Sequence, residues 1–221
     1  MPSPQDRLED DAFDAVYPPN IRRISRHFWT PVAVARAAAA LFVRAGAHDV
    51  LDVGAGVGKF VLSAALAEPT LKLVGVEQRG HLVDLARHAQ GELGIANARF
   101  EVGDATEVPW SAFEGIYLFN PLAENLNATA DRIDDRVELT RHRFRRDRER
   151  VERALRHARL GTAVVTYHGS GTRIPASYEL EATEQRGSDW VRLWIKRRES
   201  HEGAYFLEAD GGSVRQVSRV R

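Results

Sequence analysis

The stretch LDVGAGVGKF, residues 51–60, places a carboxylate, Asp52, two residues before the first of three alternating glycines, Gly54, Gly56 and Gly58. An apolar run that ends this way and then enters a helix offers bare main chain and free N–H groups to a nucleotide-like ligand. Spacing decides between ligands. A phosphate-cradling loop needs a glycine, four residues, then Gly-Lys-Ser/Thr. Here Phe60 follows Gly58 and Lys59, and Val53 stands where the first glycine would be. A dinucleotide fingerprint needs a glycine where Lys59 stands, and it gives Asp52 no role. An acid beside the loop repels a pyrophosphate and favours a cationic ligand.

Other reactive side chains fall where apolar runs end. Glu77 closes LVGVE, Asp104 and Ala105 follow ARFEVG, and Asn120 with Pro121 closes YLFNP. Tyr167 and His168 follow VVT, and His168 has the chemistry of a general base or of a hydrogen-bonded loop histidine. Each acid could equally cap a turn. Their recurrence at successive strand ends points to the edge where open α/β sheets bind ligands.

The elements that must position these groups alternate in period. Residues 1–20 carry prolines and acids and read as an arm or a loose first helix. FWTPVAVARAAAALFVRAG reads as a helix capped by Thr30, with Pro31 in its first turn and Gly46 closing it. Val50–Val53 is then a strand, Lys59–Glu68 a helix and LKLVGVE a second strand. Leu82, Leu85, Ala86, Ala89 and Leu93 share the face of another helix. ARFEVGD, GIYLFN and GTAVVTYHG read as three more strands. Residues 131–159 form a long charged segment in which Ile133, Val137, Thr140, Phe144, Val151, Leu155 and Ala158 make one stripe. Glu149 with Arg153 and Glu152 with Arg156 are spaced as helical ion pairs, so its arginines read as a solvated, salt-bridged face. SYELEATEQRG and WVRLWIKRR follow as an antiparallel pair around Gly187–Ser188, and a last hairpin turns at Gly211–Gly212.

The pattern Asp52-x-Gly54-x-Gly56-x-Gly58 resembles the class I S-adenosylmethionine-dependent methyltransferases. The resemblance covers about residues 48–122 and implies a doubly wound, mostly parallel seven-stranded α/β sheet with an antiparallel C-terminal strand pair and an N-terminal helical arm. It implies an arm and helix over residues 1–46 and a cofactor-binding domain over 47–221. Cofactor contacts would come from Asp52, Gly54, Ala55 and Gly56 in the loop, and from Glu77 and Gln78 at the ribose. Asp104 and Ala105 would meet the adenine, and Asn120 the reacting end. HFWTP, residues 27–31, resembles a segment that contacts the methionine end, which adds Thr30. Asn120, Pro121 and His168 would be catalytic, with Glu124 and Asn125 as further acceptor contacts. Leu122 and Ala123 depart from the Asn/Asp-Pro-Pro-aromatic loop of the amine-methylating members, which argues against a nucleobase and leaves a protein side chain or small molecule. A non-catalytic module that holds S-adenosylmethionine or S-adenosylhomocysteine, and a nicotinamide-dependent reductase, remain as alternatives.

The totals bound the rest. With 221 residues, 31 Lys plus Arg and 31 Asp plus Glu, nothing global steers the chain to nucleic acid or membrane. No apolar run reaches the roughly 18 residues of a membrane span, and no secretory segment opens the chain, so a cytoplasmic protein is expected. The absence of cysteine excludes disulfides and thiolate metal sites, and no histidine spacing suggests a metal.

Overall fold

A computed structural model describes residues 4–200, 204–208 and 214–218. Three helices precede the sheet: α1 (Pro4–Asp14), α2 (Pro19–Phe28) and α3 (Val32–Arg44). Then strands and helices alternate as β1 (Asp49–Val53), α4 (Lys59–Ala67), β2 (Lys72–Glu77), α5 (Gly80–Glu92) and β3 (Ala98–Val102). β4 (Gly115–Leu118), α6 (Arg141–His157) and β5 (Ala163–Thr166) continue the pattern. After a two-residue strand, β6 (Ile174–Pro175), come β7 (Tyr178–Arg186) and β8 (Asp189–Lys196).

Seven of these strands form one sheet in the order β3-β2-β1-β4-β5-β8-β7. β1 to β5 pair in parallel, and β8 runs antiparallel to both β5 and β7. The hairpin expected around Gly187–Ser188 is therefore present. Short apolar strands such as Val50–Val53 suit a parallel sheet covered on both faces. One face packs Phe42, Phe60, Leu82 and Tyr117 under α3, α4 and α5. The other packs Leu51, Val76, Ile116 and Trp194 with Val151 and Leu155 of α6. A second sheet, β10-β9-β6, adds β9 (Ala204–Glu208) and β10 (Val214–Ser218), and Phe206 sets its ring 5.5 Å from Trp194. The expected turn at Gly211–Gly212 lies outside the described residues. The order of the large sheet reverses between β1 and β4, which opens a crevice above their C-terminal ends.

Three local expectations need correction. Thr30 does not cap α3. Its hydroxyl pairs with that of Tyr117 at 3.0 Å, and Asp10 of α1 caps the helix by accepting from the Val32 N–H at 2.9 Å. The segment 131–159 is not one helix, because α6 starts only at Arg141, where the Thr140 hydroxyl accepts from the Arg143 N–H at 3.1 Å. Of the two ion pairs read from spacing, Glu152 and Arg156 meet at 2.8 Å, whereas Glu149 and Arg153 form none among the described residues.

The arm is fastened to the loop it covers. Lys59, 1% exposed, sets its Nζ 2.9 Å from both Asp10 and Asp14 and donates to Ser25 Oγ at 3.1 Å. Tyr17 donates its hydroxyl to the Val57 carbonyl at 3.1 Å. A lysine in a glycine loop could have met a phosphate; this one is committed to two buried carboxylates. Among the described residues no helix is long and apolar enough to cross a membrane, and no cluster of His, Asp or Glu is placed to hold a metal ion.

Candidate active site at the strand ends

A cleft of about 490 Å³ opens over the switch point. Its walls bring together Gly54, Gly56, Glu77, Gln78, Asn120, Pro121 and His168, which come from the ends of four strands. Asp104 and Ala105 line an adjoining crevice of about 50 Å³ that shares Gly54, Glu77, Gln78 and Pro121 with the cleft. Asp52, Ala55 and Thr30 lie off both walls.

The glycines serve different neighbours. Gly56 holds a φ of +55° and lies under the indole of Trp29, where an added Cβ would come within 2.2 Å of Nε1. Gly58, at φ +79°, faces Phe100 and Ala86 inside the core, so its role is helix–strand packing. Only Gly54 and Gly56 present naked main chain to the cleft.

Four acids define the electrostatics. Asp52 is 4% exposed. Burial, aided by the charge of Glu77, pushes its pKa well above the usual carboxylate range. Glu77 accepts the Gly56 N–H at 3.1 Å with one oxygen and the Arg79 N–H at 2.9 Å with the other. Burial raises its pKa although both N–H groups and the Arg79 charge oppose the shift. Asp104 behaves oppositely. Burial pushes its carboxyl up, but the N–H and hydroxyl of Thr106 and the charges of Arg143 and Arg150 outweigh it and hold the pKa low. The fourth acid, Asp189, pairs with His168.

The loop after β4 is clipped from beneath by Arg79, 3% exposed in its side chain. Its guanidinium reaches Glu124 at 2.8 Å and Asp134 at 2.9 Å, and Glu124 also accepts the Ile133 N–H at 2.8 Å. The Oδ1 of Asn125 is buried without a partner, while its Nδ2 donates to the Leu122 carbonyl at 3.2 Å. On the far side of the crevice Arg143 of α6 meets Gln78 and pairs with Asp147 at 3.0 Å. None of Trp29, Arg79, Arg143 and Asp147 was singled out as a site residue from sequence. Only Trp29 carried a signal, through the HFWTP segment.

Asn120 and His168 are the only non-glycine residues with positive φ among the described residues, at 37° and 53°. Such backbone costs about 1–3 kcal/mol per residue and clusters at functional sites. They sit at the ends of the neighbouring strands β4 and β5, joined by an Asn120 N–H bond to the Gly169 carbonyl at 3.0 Å. The His168 ring packs 4.4 Å from Tyr167 and 5.5 Å from Phe119.

A sheet of this order, with acids at the ends of β1, β2 and β3 beside a glycine loop, is the fold of the class I S-adenosylmethionine-dependent methyltransferases. The profile of the methyltransferase domain family matches residues 46–185, and the chain belongs to that family. Over 59 residues it is 37% identical to a tRNA (guanine-N(7)-)-methyltransferase of Microcystis aeruginosa, which covers 27% of this chain and 28% of that protein. Over 75 residues it is 36% identical to a demethylmenaquinone methyltransferase of Deinococcus radiodurans, covering 34% and 31%. Each match spans less than a third of the curated relative. Among solved structures, an RNA methyltransferase from Salinibacter ruber in complex with S-adenosyl-L-homocysteine aligns with a TM-score of 0.53 at 22% identity, over 78% of this chain and 96% of that one. A mitomycin 7-O-methyltransferase aligns with a TM-score of 0.53 at 13% identity, over 75% and 53%. At these identities the likeness speaks for the fold.

The residues fit that cofactor. It carries an ammonium, a ribose diol and an adenine amino group, so it can answer a buried carboxylate, spare lone pairs on an acid and an orphaned amide oxygen. Asp52, Glu77 and Asn125 Oδ1 are such groups.

Proposed function

We propose that the protein transfers the methyl group of S-adenosylmethionine to a nitrogen of a small molecule or protein side chain. The observation that carries this reading is the pairing of Asn120 and His168, two strained residues facing one cleft whose other end is walled by Gly54 and Glu77. When bound, the cofactor supplies an activated methyl carbon, and the protein's part is to orient the acceptor and exclude water. In this reading Asp52 answers the ammonium, Glu77 accepts from the ribose hydroxyls, and Asn125 and Asp104 face the adenine. The side-chain carbonyl of Asn120 and the main chain at Pro121 hold the acceptor's hydrogens and aim its lone pair.

A label-transfer experiment tests the proposal. The protein is incubated with methyl-labelled cofactor and a cell extract, which is then separated into protein, nucleic-acid and small-molecule fractions. Label is expected in the protein or small-molecule fraction. No label anywhere, with tight binding of S-adenosylhomocysteine, would instead mark a non-catalytic binding module.

A second reading, a nucleic-acid acceptor, has one observation in its favour. Arg141, Arg145 and Arg153 are exposed on α6 and form no ion pair among the described residues, and one relative is named as a tRNA methyltransferase. Label in the nucleic-acid fraction, lost steeply with rising salt as phosphate contacts require, would select it.

A further inference from the structure

His168 does not stand alone. Its Nδ1 lies 3.0 Å from the Asp189 carboxylate and its Nε2 lies 3.1 Å from the Ser188 hydroxyl. Ser188 Oγ is also 3.2 Å from the Tyr167 hydroxyl. These partners come from the β7–β8 turn, twenty residues away in sequence, where Gly187 adopts a φ of +57°. His168 and Ser188 both line the cofactor cleft. A carboxylate at Nδ1 fixes the tautomer that carries its proton there, which leaves the Nε2 lone pair facing the cleft. The Ser188 hydroxyl then occupies the place where a protic ligand would offer its hydrogen.

We infer that Asp189 and His168 form a proton-accepting pair, and that the methyl acceptor is a planar ring bearing a weakly acidic O–H or ring N–H. This rests on the methyl-transfer reading above and revises its acceptor, since with an O–H acid the methylated atom is oxygen rather than nitrogen. An amine that is already neutral needs no base before it attacks, whereas a phenol or a cyclic imide becomes a strong nucleophile only as its proton leaves. Phe119, partly exposed on the cleft wall, supplies a flat apolar face for such a ring. The X–H bond breaks, its proton goes to His168 Nε2, and its electron pair stays on the heteroatom that takes the methyl group. One positive charge moves from the donor sulfur to the imidazolium, which then releases the proton to solvent.

The groups packed around His168 agree with this role. Tyr167 and Phe119 pack against the ring, whose side chain stays 37% exposed, and Asp189 is the charge that acts on it. Burial lowers the pKa of His168, partly offset by Asp189, which favours the neutral, proton-accepting imidazole. Asp189 is a positioning residue and acts only through His168.

Two measurements test the pair on the full chain saturated with S-adenosylhomocysteine or S-adenosylmethionine. In the first, histidine nitrogens are labelled and His168 is assigned by its loss in His168→Asn, a variant that tolerates left-handed backbone. A single Nδ1–H tautomer is expected in the wild type, and a mixed population in Asp189→Asn. An unchanged tautomer in Asp189→Asn overturns the inference, whatever the transfer assay shows. In the second, labelled cofactor is offered to separate sets of phenols, cyclic imides and primary amines across a pH series. Transfer to phenols or to imides, slowed by about 100- to 10,000-fold in His168→Asn, is expected. In Asp189→Asn the acid limb of the pH profile should shift while S-adenosylhomocysteine affinity is retained. Transfer to amines with one pH profile in both proteins overturns the inference while keeping the methyl-transfer reading. Loss of S-adenosylhomocysteine binding in the wild type overturns that reading instead.

Discussion

Replacing Asp52 by asparagine should stabilise the free protein and weaken its cofactor binding, two effects of opposite sign from one buried charge. Asp52 is 4% exposed, and burial, aided by the charge of Glu77, raises its pKa well above the ordinary value. For an acid whose folded-state pKa is raised, the folded state holds the extra proton between the two pKa values. Stability is therefore full below the unfolded value and falls as pH rises through the folded one. A neutral amide cannot ionise, so Asp52→Asn escapes that loss. Each unit by which the folded-state pKa exceeds the unfolded one is worth about 1.4 kcal/mol of that relief. For a domain of this length each 1 kcal/mol moves the melting midpoint by about 2–4 °C. Under the proposed assignment of Asp52 to the cofactor's ammonium, that end loses a charge-assisted interaction of about 1.5–3 kcal/mol. That corresponds to about a 10- to 150-fold rise in Kd. Differential scanning calorimetry at pH 8 and near pH 3 would show the stability gain at the higher pH and its disappearance at the lower. Titration calorimetry with S-adenosylhomocysteine would give the affinity. A variant that melts lower than the wild type at pH 8, or binds equally well, would refute the reasoning.

Two further outcomes follow from buried ion pairs. Lys59→Met leaves Asp10 and Asp14 facing each other without their cation, and removal of one partner of a buried pair costs about 3–5 kcal/mol. Urea unfolding should show a loss of that size, and a loss below about 1 kcal/mol would mean that the arm contributes little to the folded state. Arg79→Met should free the segment from Ala123 to Asp134, which Arg79 holds through Glu124 and Asp134. Hydrogen exchange of the S-adenosylhomocysteine complex should speed up in that segment and stay unchanged in β1 and β2. Uniform acceleration would show that Arg79 serves general stability.

Much of the scaffold could be read from periodicity. The strands ending at Val53, Glu77 and Val102 stood out because fully buried parallel strands are short apolar runs between helices. Loop and acids share one edge for the same reason: strands that all run one way end on one side. What escaped was tertiary. Asp10, rather than the adjacent Thr30, caps α3 because α1 folds back across the helix start, 22 residues away. The apolar stripe continued from Ile133 into α6, but Arg79 and Glu124 hold residues 133 and 134 in an irregular turn. Arg143 and Asp147 looked like members of a solvated face; a helix laid over the crevice turns one polar edge inward, and Asp147 is buried. Ser188 and Asp189 read as a hairpin turn, and only the pairing of β8 with β5 brings that turn to His168.

The central claim is that the cofactor lies along the glycine loop with its ribose held by Glu77. Titration of S-adenosylhomocysteine into the wild-type protein and into Glu77→Gln, at neutral pH, tests it most directly. A single site is predicted, weakened about 10- to 150-fold when the carboxylate becomes an amide. No heat of binding to the wild type, or equal affinity in the two proteins, would contradict it.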